Sequence, residues 1–78
     1  MKLNMKYFGM IAEWMGRQEE QMQFSEKSVS KLRQYLEANC ERLSNINYQV
    51  AVNQKIVTED FGLNENDEVA ILPPFAGG

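Results

Sequence analysis

Only one stretch of this chain repeats its apolar residues at helical spacing for more than two turns. Val29, Leu32, Leu36, Cys40 and Leu43 fall three or four apart and make one stripe. That spacing predicts a helix over 29–42, with Ser28 at the N-cap position and with Lys31, Arg33, Gln34, Glu37, Glu41 and Arg42 on its polar side. A lone helix with one apolar stripe must bury it against something, and the other apolar residues mostly alternate. The expected partner is therefore a sheet, and the expected class is a two-layer α+β domain.

The remaining segments fit that frame. Leu3, Met5 and Tyr7 alternate with polar residues and predict a strand over 2–8. Gly9 breaks the run, a short helix follows over 10–15, and Gly16 suits its C′ position. Met22 and Phe24 mark a strand over 18–24, placed to pair antiparallel with the first. Tyr48, Val50 and Val52 mark a strand over 47–52, Asn53-Gln54 a tight turn, and Ile56-Val57 a short strand after it. Residues 58–66 form a connection with Leu63 as its buried anchor, and Asn66-Asp67 a turn. Residues 68–72 are apolar almost throughout, as expected of a central strand covered on both faces. The domain spans 1–72. Pro73-Pro74 ends the ladder, and 73–78 forms a tail.

The chain has 78 residues, one domain's worth, and such a domain buries only about 60–65% of the surface its unfolded chain exposes. A net charge of −3 with scattered Lys and Arg argues against nucleic acid as a partner. One cysteine allows no disulfide framework or zinc cluster and suits a reducing cytoplasm. The N-terminal segment lacks a signal-peptide apolar region, and no apolar run reaches membrane length.

Intrinsic catalysis is not expected. Histidine is absent, so the commonest general base and metal ligand is missing. Cys40 falls on the helix stripe, where a small buried residue fits. Glu65, Asp67 and Glu68 miss the spacing of a calcium loop and read as a solvated turn, so no metal is assigned. Without a phosphate-binding glycine loop, any ATP must be bound by a partner.

What remains is the tail. Pro73 and Pro74 bias the backbone to an extended path. Gly77 and Gly78 lack a Cβ and can thread a narrow channel. Six residues can reach about 20 Å. The terminal carboxylate of Gly78 is a poor acyl donor until it is adenylated, after which sulfur, an amine or a thiol can capture it. An ordinary frayed terminus is the alternative.

Asp67-Glu68-Val69-Ala70-Ile71-Leu72-Pro73-Pro74-Phe75-Ala76-Gly77-Gly78 resembles the C-terminal signature of the molybdopterin synthase small-subunit family, the MoaD-type sulfur carriers. Tyr7-Phe8-Gly9, Ser28-Val29-x-x-Leu32, Val50-Ala51-Val52-Asn53-Gln54 and Leu63 extend the resemblance over most of the chain. It implies a β-grasp, ubiquitin-like fold with the first and last strands parallel at the sheet centre. It also implies a non-catalytic carrier with no bound cofactor. An E1-like adenylyltransferase (MoeB-type) adenylates Gly78 with ATP, and a sulfurtransferase system converts the adenylate to a thiocarboxylate. The large synthase subunit (MoaE-type), in a heterotetramer of two small and two large subunits, accepts the tail in its active site. There the sulfur passes to cyclic pyranopterin monophosphate. On this reading Pro73, Pro74, Ala76 and Gly77 thread the tail, while Phe75, Phe8 and Leu63 touch the large subunit. The chain departs from the family at Ala12, where Arg is common, at Asn66, where Gly is common, and at Phe75-Ala76. A thiamine-pathway (ThiS-type) carrier and a ubiquitin-like protein modifier share the same activated terminus, and a plain interaction module with an inert tail is the remaining reading.

Overall fold

The structure is a computed structural model, and it describes residues 1–74. The elements follow the expected order: β1 (Lys2–Tyr7), α1 (Gly9–Met15), β2 (Glu19–Gln23), α2 (Val29–Asn39), a 3-10 turn (Glu41–Asn45), β3 (Gln49–Val52), β4 (Lys55–Ile56) and β5 (Glu68–Leu72). The strands form one mixed sheet in the order β2-β1-β5-β3-β4. β1 and β5 run parallel at its centre, and the other neighbouring pairs are antiparallel. This is the α+β β-grasp arrangement.

Alternation decides which side of the sheet is the core. Leu3, Met5 and Tyr7 of β1 point to the same face as Val69 and Ile71 of β5 and Val50 and Val52 of β3, and all are buried. α2 closes that face with Val29, Leu32 and Leu36, joined by Ile11, Phe24, Leu43, Tyr48 and Leu63. Ser28 caps α2 as the sequence predicts, its hydroxyl accepting from the Lys31 N–H at 3.2 Å.

Two expectations need correction. The helix stops at Asn39, because Cys40 takes an extended conformation (φ −145°, ψ 93°) and the Asn39 side chain donates to the Tyr35 carbonyl at 2.8 Å. The stripe continues to Leu43, but through the 3-10 turn, which tucks Leu43 into the core. β5 is also not covered on both faces. Val69 and Ile71 are fully buried, whereas Glu68, Ala70 and Leu72 on the other side are only half-buried. Its nearly continuous apolar run reflects an open apolar sheet face and not a second layer.

The turns that bring β5 to the centre rest on asparagines. Asn53 and Gln54 both have positive φ (51° and 73°), the conformation of a two-residue hairpin. Asn66 has φ 68°, the left-handed conformation a glycine would adopt there. Asp67 is buried and accepts from the Asn53 side-chain amide at 2.9 Å and the Asn64 N–H at 2.8 Å, while Asn53 Oδ1 accepts from the Glu68 N–H at 3.1 Å. This cluster ties the β3–β4 hairpin to the start of β5.

Candidate functional site

The sheet register places the start of the tail. Tyr7 pairs with Ile71 in the parallel β1–β5 ladder. Phe8 therefore leaves the sheet beside Leu72, and Gly9 beside Pro73. Gly9 has φ +56°, and a Cβ there would lie 3.1 Å from Pro73 Cγ. Both the positive φ and the close approach call for glycine at this position. Pro73 lacks an N–H to extend the ladder, so the chain leaves the sheet centre here, and Pro74 is exposed. The carboxylate assigned to Gly78, the threading residues Gly77 and Ala76, and the anchor Phe75 lie outside the described residues; Pro73 and Pro74 lie within them.

A groove of about 550 Å³ adjoins this exit, lined among others by Phe8, Gly9, Ala12, Glu13 and Glu19. Lys6, another of its lining residues, pairs with Glu68 at 3.7 Å. Phe8 is extended (φ −124°, ψ 151°), so it continues the alternation of β1 and turns its ring to the open face. It is 45% exposed. Ala70, Leu72 and Ala51 share that face, and Ile56, paired with Ala51, stands on it at 57% exposed. An apolar strip thus runs across the open face toward the tail exit, with Phe8 and Ile56 as its large members.

Of the side chains expected to touch a partner, the structure describes Phe8 and Leu63 and separates them. Phe8 is on the surface. Leu63 is not: at 3% exposed it belongs to the core, its N–H held by the Lys27 carbonyl at 2.6 Å, so a partner cannot reach it. Ile56 was not singled out from the sequence. Its place on the open face follows from the pairing of Ala51 with both Ile56 and Ala70, and that register is a tertiary fact.

Beneath the exit, the Tyr7 hydroxyl donates to Glu20 at 2.5 Å, and Arg17 holds the same carboxylate at 2.9 Å. On the far side of the core, the Tyr48 hydroxyl donates to Glu37 at 2.6 Å, and the Arg33 guanidinium lies 4.2 Å from the Tyr48 ring centroid. Burial, then the hydrogen bond to a carboxylate, pushes both phenols above their ordinary pKa of about 10. In the unfolded chain these phenols ionise near pH 10, while in the fold they keep their protons to higher pH. Their contribution to stability is therefore full below about pH 10 and is lost as pH rises beyond it. Urea midpoints measured from pH 8 to 12 should fall above pH 10, and the Tyr7→Phe/Tyr48→Phe double variant should show a flatter fall.

Histidine is absent from the chain, and Cys40 is half-buried at the edge of the core. Among the described residues, no three His, Cys, Asp or Glu side chains are grouped so as to hold a metal ion, and no helix is long and apolar enough to cross a membrane. Among the described residues, the geometry presents the start of the tail, at Pro73 and Pro74, beside an apolar sheet face.

Comparison with known proteins agrees with that geometry. The model of the ThiS family matches residues 5–78. The molybdopterin synthase sulfur carrier subunit of Escherichia coli (strain K12) is 33% identical over 76 residues, covering 92% of this chain and 94% of that protein. Among solved structures, the small archaeal modifier protein 1 of Methanosarcina acetivorans superposes with a TM-score of 0.81 at 21% identity, covering 99% of this chain and 96% of its own. One chain of the complex of subunits 1 and 2 of the molybdopterin-converting factor of Helicobacter pylori superposes with a TM-score of 0.72 at 20% identity, covering 100% of this chain and 100% of that one. These two likenesses speak to the fold alone. With a family match that runs from Met5 to Gly78 and the E. coli relative at this level of identity, the chain belongs to the ThiS family.

Proposed function

We propose that this chain is the sulfur-carrier subunit of a molybdopterin synthase. The observation that carries this reading is the 33% identity to the E. coli carrier across nearly the whole of both chains, together with a family match that reaches the last residue. In the proposed cycle, a carboxylate oxygen of Gly78 attacks the α-phosphorus of ATP on an E1-like adenylyltransferase, releasing pyrophosphate. Sulfide delivered by a sulfurtransferase system then attacks the acyl carbon and displaces AMP, leaving a thiocarboxylate. The large subunit takes the tail into its active site, where the sulfur passes to cyclic pyranopterin monophosphate. Two such transfers complete the dithiolene. The chain itself supplies the handle: an exit fixed by Gly9 and Pro73, and an apolar face for docking.

Incubation with an E1-like adenylyltransferase, ATP and a sulfur source should raise the intact mass by about 16 Da, the exchange of one oxygen for sulfur. No change under conditions that load a known carrier rejects the reading. Addition of the large subunit and the pterin precursor then separates molybdopterin synthesis from thiamine synthesis, and lysine-linked adducts in cells would instead indicate a protein modifier.

Phe8 and Ile56 are the side chains best placed to anchor the large subunit, since exposed aromatic and aliphatic groups near an interface centre dominate binding. Phe8→Asp and Ile56→Asp should each weaken binding by about 2 kcal/mol, roughly thirtyfold in Kd by calorimetry. Thermal unfolding should change little, because neither side chain is in the core.

A further inference from the structure

One sheet edge is left unpaired at a place where a groove runs beside it. In the β1–β2 ladder the Tyr7 N–H donates to the Gln18 carbonyl and the Phe24 N–H to the Met1 carbonyl, both at 2.8 Å. By antiparallel alternation, residues 18, 20, 22 and 24 turn their backbone groups toward β1. Glu19, Gln21 and Gln23 therefore turn theirs outward, and no described residue pairs with them. β2 ends the sheet on this side, whereas the opposite edge, β4, is only two residues long. Sheet edges are ordinarily blunted by charged side chains, above all lysine, by proline, by a bulge or by a covering element. β2 has neither lysine nor proline, and of its two charges Glu20 is paired with Arg17, which leaves Glu19 as the charge an added strand must match. On the core side of this edge lies a groove of about 380 Å³ between β2 and α2, with Met15, Met22 and Tyr35 among its lining residues. The Tyr35 ring is 46% exposed and held edge-on to Phe24, with centroids 5.8 Å apart. The charged members of the groove, Arg17 and Glu20, already satisfy each other.

We propose that β2 is a strand-addition site for an extended segment of another protein, distinct in kind from the tail-dependent docking proposed above. Outward backbone N–H and C=O groups in series are matched only by another extended chain. The side chains define which chain. Added residues opposite Glu20 and Met22 face the groove and should be apolar. Those opposite Gln21 and Gln23 lie on the open side and should be polar. Opposite Glu19 the chemistry calls for Lys or Arg. The cross-strand cation beside Glu19 is Lys6, and Lys6 bonds Glu68 instead, so Glu19 has no ion pair among the described residues. The occupant is thus an antiparallel segment reading polar, apolar, polar, apolar, basic.

The test uses the full chain labelled with nitrogen-15 and a capped peptide with Thr-Val-Ser-Val-Lys at its centre, without any activating enzyme. Titration should move the amide resonances of Glu19, Gln21 and Gln23 and slow their hydrogen exchange. Gln21→Pro removes an outward N–H without touching the β1 ladder, as prolines on edge strands do, and should weaken binding roughly tenfold. Glu19→Lys should weaken it roughly threefold to tenfold, and a peptide ending in Glu should restore it. If Gln21→Pro lowers the unfolding temperature, this charge exchange decides alone. Unmoved edge amides, shifts confined to the Phe8–Ile56 face, or a charge exchange without rescue would overturn the proposal. Edge protection that rises with protein concentration in the absence of peptide would also overturn it, in favour of a second copy of the chain. None of these readouts depends on sulfur loading, so the two proposals fail separately.

Discussion

Removal of Gly78, or the addition of one alanine after it, should abolish sulfur loading while leaving thermal unfolding unchanged. In the proposed cycle the chemistry lies wholly at the terminal carboxylate. An added residue converts that carboxylate to an amide, which cannot be adenylated, and moves the new terminus by about 3.5 Å. Deletion withdraws the reacting atom by the same distance, and a misplacement of even 1 Å costs roughly a hundredfold in rate. Stability has little stake in the change, because among the described residues the buried core already runs from Leu3 to Ile71. The measurement is intact mass after activation, paired with a melting curve. If either variant still gains the mass of sulfur for oxygen, Gly78 is not the carrier.

The features legible in the sequence were those set by neighbours along the chain. Ser28 precedes the apolar stripe and caps α2. Asn53, Gln54 and Asn66, read as turn residues, all have positive φ. The order of strands along the chain also followed from local signals: alternation for the first three, the Asn53-Gln54 turn for the fourth and a continuous apolar run for the last. The features that were not legible depend on what lies across the fold. The stripe from Val29 to Leu43 looks like one helix because a 3-10 turn can keep the same face buried; only the Asn39 side chain and the extended Cys40 reveal the break. Leu63 is legible as the buried anchor of its connection, and the core holds it, which removes it from the partner-facing set that the resemblance implied. Ile56 is not legible: only the pairing of Ala51 with both Ile56 and Ala70 puts it on the open face. The same register explains β5. Its apolar residues at 70 and 72 suggested a second covering layer, and the fold uses them as surface. A central strand that is apolar on its uncovered face is a sign of a partner, and that sign emerges only when the sheet order is known.

Ile71→Ala should lower sulfur loading by a different route, and the contrast with Gly78 is informative. Ile71 is fully buried at the sheet centre, paired with Tyr7 on one side and Val50 on the other. Its truncation removes buried methyl and methylene groups and leaves a cavity between the two strands that position the tail, at a cost of about 2–5 kcal/mol. A domain of this size has a total stability of about 4–12 kcal/mol, so the loss takes a large share of it. The cavity cannot easily close, because β5 is hydrogen-bonded to β1 and β3 and its start is fixed by the Asn53–Asp67 cluster. A urea titration should show the midpoint falling while the slope stays the same, as expected when stability changes and compactness does not. Sulfur loading should fall with the folded fraction and recover on cooling toward the temperature of maximum stability. The Gly78 deletion should show the reverse pattern: full folding at every temperature and no loading at any. If Ile71→Ala were to fold fully and still fail to load, the platform beneath the tail would be part of what the activating partner recognises, and burial alone would not account for the residue.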